Sequence, residues 1–387
     1  MTESCTARVR RTLEGVIGVP ATEGNCIDVL RNGDEIFPAM LEAIEKAEHT
    51  IDFLTFIYWQ GHTGREFASR LCDRARAGAR VRVLLDAWGA HSMEKALLEE
   101  MAASGVQQRW FRPLRRMWPG SINHRTHRKV LITDEEVAFT GGVGIADEWC
   151  GDARDATEWR DTHFRIEGPA VDGLRAAFLD NWTETDPAIY DENVDRFPDQ
   201  PKPGTAIVQC VRGASETGFS DMSTLFRTLL QLAEHRIRIT TPYFVPDIDL
   251  ADRLLAAADR GVEVQILLPG PHIDKRFVQI AAEGEYDRLL THGVTIWNYQ
   301  PTMLHAKMMT VDGIVANVGS ANLNTRSVTW DEEINVVAMD QALVGVLDSH
   351  FEFDLERSVR IEPGRWQRRA LWQRAAERAI APIKRFF

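Results

Sequence analysis

Two short stretches of the chain carry the residue types that chemistry at a phosphodiester requires. In the first, His127 and Lys129 are followed by Val130-Leu131-Ile132-Thr133 and then Asp134. In the second, His305 and Lys307 are followed by Met308-Met309-Thr310-Val311 and then Asp312. Both read His-x-Lys-x-x-x-x-Asp. Residues two apart on a β-strand point to the same face, so each histidine is predicted to share a surface with its lysine. Displacement at phosphorus needs a nucleophile or base, an acid for the leaving oxygen and fixed positive charge on the non-bridging oxygens. One His-Lys face supplies half of that set. Two faces brought together supply all of it: one imidazole attacks, the other protonates the departing alcohol, and two ammonium groups hold the phosphate. A single pair of this kind is commonplace on surface strands. A second copy with the same following turn and the same returning strand, Val137 to Gly142 matching Val315 to Ser320, is not. Asp134 and Asp312 fall at the turn itself, where Asp312-Gly313 is a strong hairpin signal, and are expected to hold the site together rather than to touch substrate.

The paired motifs resemble the signature of the phospholipase D superfamily, and the likeness spans most of the chain, residues 25 to 360. The resemblance implies an α/β fold: two similar phospholipase D-like α/β/α sandwich domains related by a pseudo-two-fold axis, sharing one active site. It also implies a phosphohistidine intermediate formed with no metal and no other cofactor. Carried onto this sequence, it makes His127 the nucleophile, His305 the general acid and then base, and Lys129 and Lys307 the phosphate ligands. Gly319-Ser320-Ala321-Asn322 is similar to the family's Gly-Ser-x-Asn, which places Ser320 and Asn322 at the phosphate end of the pocket. The first half has Gly141-Gly142-Val143-Gly144 there, with Gly144 where many relatives have Asn. That contact is either absent or supplied by backbone N–H groups that glycines such as Gly142 let approach closely; the alternative is that Gly142 and Gly144 only make a tight strand-end turn. A neutral imidazole nucleophile needs an acceptor to orient its other nitrogen. Asp161 and Glu333 occupy corresponding places after the two motifs and are nominated as the carboxylates behind the histidines, against the alternative of a solvated acidic strand start.

The elements that must position these residues repeat as well. Ala47-Glu48-His49-Thr50-Ile51 is echoed by Ala233-Glu234-His235-Arg236-Ile237, each leading into a β-rich run that ends at Tyr58 or Tyr243. A helical segment follows in each copy, Arg65 to Ala77 and Leu250 to Arg260, closed by Gly78 or Gly261 as a C-cap. Val81-Arg82-Val83-Leu84-Leu85 then matches Val264-Gln265-Ile266-Leu267-Leu268, two apolar runs that read as buried parallel strands. Strand, helix, strand, twice over, predicts a mostly parallel sheet with helices on its faces in each half. The prolines of Phe197-Pro198-Asp199-Gln200-Pro201-Lys202-Pro203-Gly204 mark the join. The expected organisation is an N-terminal segment 1–24, a first domain 25–197, a linker 198–205, a second domain 206–362 and a basic tail 363–387.

Composition narrows the setting. The chain has 387 residues and a net charge of −12, which disfavours phosphate-rich partners unless cations cluster. They do: no carboxylate stands between Glu100 and Asp134, while Arg109, Arg112, Arg115, Arg116, Arg125, Arg128 and Lys129 do, and a second acid-free stretch runs from Arg288 to Val311. No stretch has the length and apolarity of a signal peptide or a membrane span. Five widely spaced cysteines fit neither a disulfide framework nor a zinc site.

Thr241-Pro242-Tyr243-Phe244-Val245-Pro246-Asp247 and the run from Gly319 to Ser327 are most similar to bacterial cardiolipin synthases of the short form without amino-terminal membrane helices, except that Asn324 replaces the Asp common there. That similarity implies phosphatidyl transfer from phosphatidylglycerol or a related phospholipid to an alcohol. Phospholipase D-type hydrolysis and metal-independent nuclease activity are the alternatives, and a lipid- or nucleic-acid-binding protein without catalysis is a third. The expected partner is a phospholipid at an anionic membrane surface, with neither nucleic acid nor a protein partner obligatory, for a catalytically complete monomer that is cytoplasmic and peripheral on the inner face of the cell membrane. Two segments could meet lipid: the cation- and ring-rich run Arg109 to Trp118, and the tail from Trp366 to Phe387.

Overall fold

A computed structural model of the chain describes residues 5–113, 124–185, 197–213, 220–369 and 379. The first half contributes β1 (Thr22–Arg31), α2 (Asn32–Lys46), β2 (Thr50–Thr55), α3 (His62–Arg76), β3 (Arg80–Asp86), α4 (Lys95–Ala103), β4 (Gln107–Phe111), β5 (Val130–Thr133), β6 (Val137–Gly141), β7 (Thr162–Glu167) and α5 (Ala170–Thr185), after an opening helix α1 (Cys5–Ile17). The second half follows the same plan. It comprises β8 (Ala206–Gly213), α6 (Asp221–Leu232), β9 (Arg236–Thr240), β10 (Phe244–Val245), α7 (Ile248–Asp259), β11 (Glu263–Pro269), α8 (Arg276–Thr291), β12 (Thr295–Tyr299), β13 (Met308–Val311), β14 (Val315–Gly319), β15 (Leu323–Asn324), α9 (Thr325–Thr329), β16 (Glu333–Met339), α10 (Gln341–Glu356), β17 (Ser358–Arg360) and α11 (Pro363–Trp366).

One 15-stranded sheet runs through both halves in the order β17-β12-β11-β9-β13-β14-β16-β8-β1-β7-β6-β5-β2-β3-β4. Read outward from the β8–β1 contact, the two sides mirror each other, which is the pseudo-two-fold axis. The repeated apolar runs pair in parallel as expected, β2 with β3 and β9 with β11. The expectation of a mostly parallel sheet is corrected: the motif hairpins, β7, β16 and the central β1–β8 pair are all antiparallel. For the motif hairpins the reason is connection length, since the three-residue turns 134–136 and 312–314 can only return antiparallel.

Alternation along each strand sends side chains to two cores. Ile51 and Phe53 of β2 face α2 and α3, whereas Leu54 joins Leu84, Val130 and the α5 residues Leu174 and Phe178 on the other face. That second core continues through Val208, Met308, Val336 and Leu347, so α5, α10 and strands of both halves close over one apolar layer. The result is an α/β/α sandwich. Helix α1 buries Val9, Leu13 and Ile17, spaced four apart on one stripe, against the core of the second half beside Leu225 and Leu229. Gly78 and Gly261 take φ of 101° and 89° just past α3 and α7, the left-handed C-cap the sequence predicts. Residues 197–205 contain no helix or strand. At the start of the tail, Trp366 packs on Tyr286 of α8 with ring centres 5.1 Å apart; residues 370–378 and 380–387 lie outside the described residues, as do 114–118 of the cation- and ring-rich run. Among the described residues no helix is long and apolar enough to cross a membrane.

Candidate active site

In each half the motif lies where the first strand of its hairpin begins and the second ends, β5 and β6 in one half and β13 and β14 in the other. The His-Lys pairs stand just before strands β5 and β13 rather than within them. Their backbone partners explain this, because they come from the opposite half. His127 N–H donates to the Glu332 carbonyl at 2.8 Å and Glu332 N–H to the Arg125 carbonyl at 2.8 Å. In the mirrored position His305 N–H donates to the Arg160 carbonyl at 2.7 Å and Arg160 N–H to the Met303 carbonyl at 2.9 Å. Each motif is stitched to the opening of the other half's carboxylate-bearing strand. Each lysine still turns to its own histidine: Lys129 Nζ donates to the His127 carbonyl at 2.8 Å and Lys307 Nζ to the His305 carbonyl at 2.6 Å.

The side chains cross in the same way. Glu333 of the second half holds Nδ1 of His127, with Oε1 at 3.0 Å, and Asp161 of the first half holds Nδ1 of His305, with Oδ2 at 2.8 Å. With both Nδ1 atoms held by carboxylates, Nε2 is the nitrogen of each ring left for chemistry, that of His305 lying 3.4 Å from Lys307 Nζ. The two carboxylates are supported differently. Glu333 accepts from the Ser320 hydroxyl, which in turn accepts from Ile334 N–H at 3.0 Å. Asp161 accepts from Trp149 Nε1 at 2.9 Å and from Thr162 N–H at 2.8 Å. Gly142 stands where the second half has Ser320, and a Cβ there would lie 2.2 Å from Asp161 Oδ1. The glycine is thus required by the close approach of Asp161, and Gly144 likewise by Ile57, whose Cβ is 2.5 Å from where a Cβ would stand.

Burial governs the electrostatics. Desolvation, against the pull of Glu333, lowers His127 to about 4, and desolvation helped by the Lys307 charge lowers His305 to about 3. Lys129 falls to about 7, through burial and then the charge of Lys307, and Lys307 to about 8 through burial. Burial works to raise Asp161 and Glu333, yet the histidine and lysine contacts prevail and hold both carboxyls below their ordinary range. The resting site therefore pairs two neutral imidazoles with two carboxylates and two lysines whose charged forms burial weakens. An entering phosphodiester anion would favour the charged form of an imidazole it touches, the form that can act as an acid.

Asp134 and Asp312 sit at the far end of their hairpins and do what their turn position suggests. The Asp134 carboxylate accepts from the backbone N–H groups of Glu48, His49 and Thr50 at 2.7–2.8 Å, and Asp312 from those of Glu234, His235 and Arg236 at 2.8 Å. These are the echoed residues that open β2 and β9, so the repeat noticed in the sequence is the docking place of the motif aspartate. Asp134 and Asp312 adopt φ of 51° and 52°, the left-handed conformation of a hairpin turn.

A cavity of about 160 Å³ opens onto His127, with Phe56, Trp88, Tyr243, Lys275 and Asn322 among its walls. Phe56 stands edge-on to His127 at 5.1 Å, and Trp149, Trp159 and Tyr243 surround His305 at 5.2, 5.5 and 6.3 Å. Asn322 faces the cavity, whereas the Ser320 hydroxyl is committed to Glu333, one step behind the phosphate position it was expected to occupy. Asn324 caps α9 by accepting from Ser327 N–H at 3.0 Å, the capping role an Asp would also fill. Sequence reading missed Trp149, Phe56 and Lys275, none of which has a counterpart in the repeat.

Three cations of the basic stretch before the first motif are paired: Arg125 is buried on Asp86, Arg128 is buried on Glu332 and Asp180, and the half-buried Arg112 meets Glu184 and Glu332. Their acids come from distant parts of the chain, which is why a local count of charge misleads. Arg115 and Arg116 lie outside the described residues. Among the described residues no group of three or more His, Cys, Asp or Glu side chains is gathered as a metal centre needs.

Known proteins can be set beside this geometry. A family model for the cardiolipin synthase, PLD-like domain matches residues 40–154 and 226–355, one match in each half. Cardiolipin synthase 1 of Bacillus cereus is 33% identical over 377 residues, covering 95% of this chain and 74% of its own length. The cardiolipin synthase of Geobacillus kaustophilus is 34% identical over 367 residues, covering 92% and 72%. Among solved structures, the phosphatidylserine synthase of Haemophilus influenzae superposes with a TM-score of 0.77 at 15% identity, over 98% of this chain and all of that one, and so shares its fold.

Proposed function

We propose, from the premise that this chain belongs to the cardiolipin synthase family of phospholipase D-like proteins, that it moves a phosphatidyl group from phosphatidylglycerol or a related phospholipid to an alcohol. The observation that carries this reading is the crossed pairing of His127 with Glu333 and His305 with Asp161, which ties the histidine of each half to a carboxylate of the other through Nδ1. His127, which lines the cavity, attacks phosphorus through Nε2 while His305 gives its proton to the departing headgroup oxygen. The phosphorus–nitrogen bond then breaks as an incoming alcohol gives its proton to His305 and its oxygen to phosphorus. Lys129 and Lys307, with the Asn322 amide, hold the non-bridging oxygens, while Ser320 and the absence of a side chain at Gly142 act through the carboxylates. Hydrolysis uses the same intermediate with water as acceptor.

The cavity mouth supports a lipid partner. Trp88 and Phe277 stand 56% and 44% exposed at the rim, beside the cations Lys275 and Arg276, a combination suited to an anionic interface. A peripheral site on the inner face of the membrane follows from this reading. Purified protein incubated in chelator with phosphatidylglycerol vesicles, in parallel with single-stranded DNA, tests it. Cardiolipin and glycerol are expected from the wild type and not from His127→Ala. Phosphatidic acid alone would make the enzyme a hydrolase, and DNA cleavage with untouched lipid would overturn the lipid reading.

A further inference from the structure

The cavity holds one group for which the reaction at phosphorus has no use. Asp331 opens the segment leading to Glu333, is 7% exposed and lines the same cavity wall as His127. Its Oδ2 accepts from Arg326 Nε at 2.9 Å, while Oδ1 is buried without a hydrogen-bond partner among the described residues. A carboxylate oxygen left so costs stability, and such a group is retained where a ligand completes it. Terminal carboxyl torsions are soft, so a small swing about Cβ–Cγ brings Oδ1 to the cavity surface. Burial also pushes the Asp331 carboxyl up to about 7, against the opposing charge of Arg326, and a hydrogen bond formed to so buried a group is strong.

Both the departing headgroup of phosphatidylglycerol and the acceptor that enters after the first step bring O–H donors, but only the acceptor competes with water for the phosphoenzyme. We propose that Asp331 is a specificity residue of the second step: it accepts a hydrogen bond from a polyol acceptor, from the hydroxyl next to the reacting one. The neighbouring Lys275 faces the acceptor's own phosphodiester. The inference rests on the phosphatidyl-transfer reading above and names its acceptor class, a vicinal diol on an anionic phosphodiester. Water lacks the second hydroxyl and gains nothing from Asp331, so the residue biases the phosphoenzyme toward transfer. Lys275 contributes the charge: its ammonium stands 4.8 Å over the Tyr243 ring, whose hydroxyl donates to Asp274 at 2.8 Å, and it lines the cavity beside Asp331. Atoms balance as in any transfer: the reacting hydroxyl loses its proton to His305, its oxygen bonds phosphorus, and the bond to His127 breaks. Asp331 exchanges no proton in the step.

The test is the partition of the phosphoenzyme, which cancels any change in its formation. With phosphatidylglycerol vesicles, the ratio of cardiolipin to phosphatidic acid is measured for wild type, Asp331→Asn and Lys275→Ala. Asn keeps the shape but turns a donor toward the cavity once its oxygen takes Arg326, and the ratio is expected to fall roughly ten- to a hundredfold, the size of one hydrogen bond to a charged group. Lys275→Ala, an exposed position safe for folding, is expected to raise KM for phosphatidylglycerol as acceptor and to leave that for free glycerol in place. A ratio for Asp331→Asn within twofold of wild type, or equal effects of Lys275→Ala on both acceptors, would overturn the acceptor subsite while transfer itself stands. A wild type that makes no transfer product would overturn the underlying reading, and the subsite with it.

Discussion

Replacing Glu333 by Gln keeps the volume behind His127 and removes only the charge. In the structure Glu333 is fully buried and its Oε1 lies 3.0 Å from Nδ1 of His127, so solvent screening takes little from the interaction. As Nε2 bonds to phosphorus the ring becomes cationic, and the carboxylate stabilises that charge more than it stabilises the neutral ring. A hydrogen bond to a charged group sets the lower bound, about 1.5 kcal/mol. Two unit charges at this separation, in an effective dielectric of about 20, set the upper bound near 5 kcal/mol. At about 1.4 kcal/mol per decade this is a loss of roughly one to four orders of magnitude in kcat. Gln also offers an amide N–H to the nitrogen that should donate, which favours the wrong tautomer and moves the expectation toward the larger loss. The assay is turnover of phosphatidylglycerol vesicles, together with acid-quench trapping of labelled phosphoenzyme to read the first step alone. Phosphoenzyme should form slowly in Glu333→Gln. In Asp161→Asn the damage falls on His305, so both formation and breakdown should slow. A Glu333→Gln enzyme within threefold of wild type in both readouts would refute the crossed-carboxylate account.

Other consequences follow from the same contacts. Asp134→Ala and Asp312→Ala each strip the acceptor from three backbone N–H groups, so each should lower unfolding stability by about 1–3 kcal/mol in denaturant titration, with catalysis of the remaining folded protein largely kept. Because burial holds His127 near 4, its neutral, nucleophilic form persists through mildly acidic pH, and the acid limb of kcat/KM should lie well below the 6.5 of an ordinary imidazole. The alkaline limb should appear as Lys129 and Lys307, held to about 7 and about 8, lose their protons and with them the hold on the phosphate anion; a flat profile from pH 6 to 9 would contradict this. Gly142→Ala places a methyl 2.2 Å from Asp161 Oδ1, and should cost at least about 2 kcal/mol of stability or displace Asp161, visible as a changed His305 imidazole resonance; an unchanged Tm and activity would show that the strand end has room to give.

Much of this site was legible in the sequence because duplication doubles every signal. Two His-x-Lys pairs, two following turns and two carboxylates in corresponding places after them point to His127, His305, Asp161 and Glu333, and the echoed Ala-Glu-His turns are where Asp134 and Asp312 bind. What was hidden has a common cause. The pairing of Glu333 with His127 and of Asp161 with His305 joins residues from opposite halves, and no local pattern reports a contact across 206 or 144 residues. The fate of Arg112, Arg125 and Arg128 was hidden for the same reason, since Asp86, Asp180, Glu184 and Glu332 all stand outside the acid-free stretch. The continuous sheet was also illegible: β1 and β8 open their halves without a motif, and their pairing is set by the α5 and α10 helices that close over both.

Crossing the carboxylates also makes the site conditional on the whole fold. Neither half alone contains a histidine with its orienting acid, and in neither do His127 and His305 keep the backbone bonds to Glu332 and Arg160 that fix where the rings point. The exchange is nearly symmetric, but the supports behind it are not. A serine hydroxyl and Glu333 stand behind His127, while an indole N–H, a bare glycine and the shorter Asp161 stand behind His305. The two imidazoles begin with similarly depressed basicity, yet the rings around them differ: His127 lines the open cavity and His305 is enclosed by Trp149, Trp159 and Tyr243. A nucleophile must reach phosphorus from the side on which substrate enters, and an acid that gives and takes back one proton gains from being shielded from bulk water. On the proposed assignment the duplicated halves carry the two roles through unequal walls rather than unequal motifs, and exchanging the supports, with Gly142→Ser beside Ser320→Gly, is the change that should disturb both steps while every motif residue stays in place.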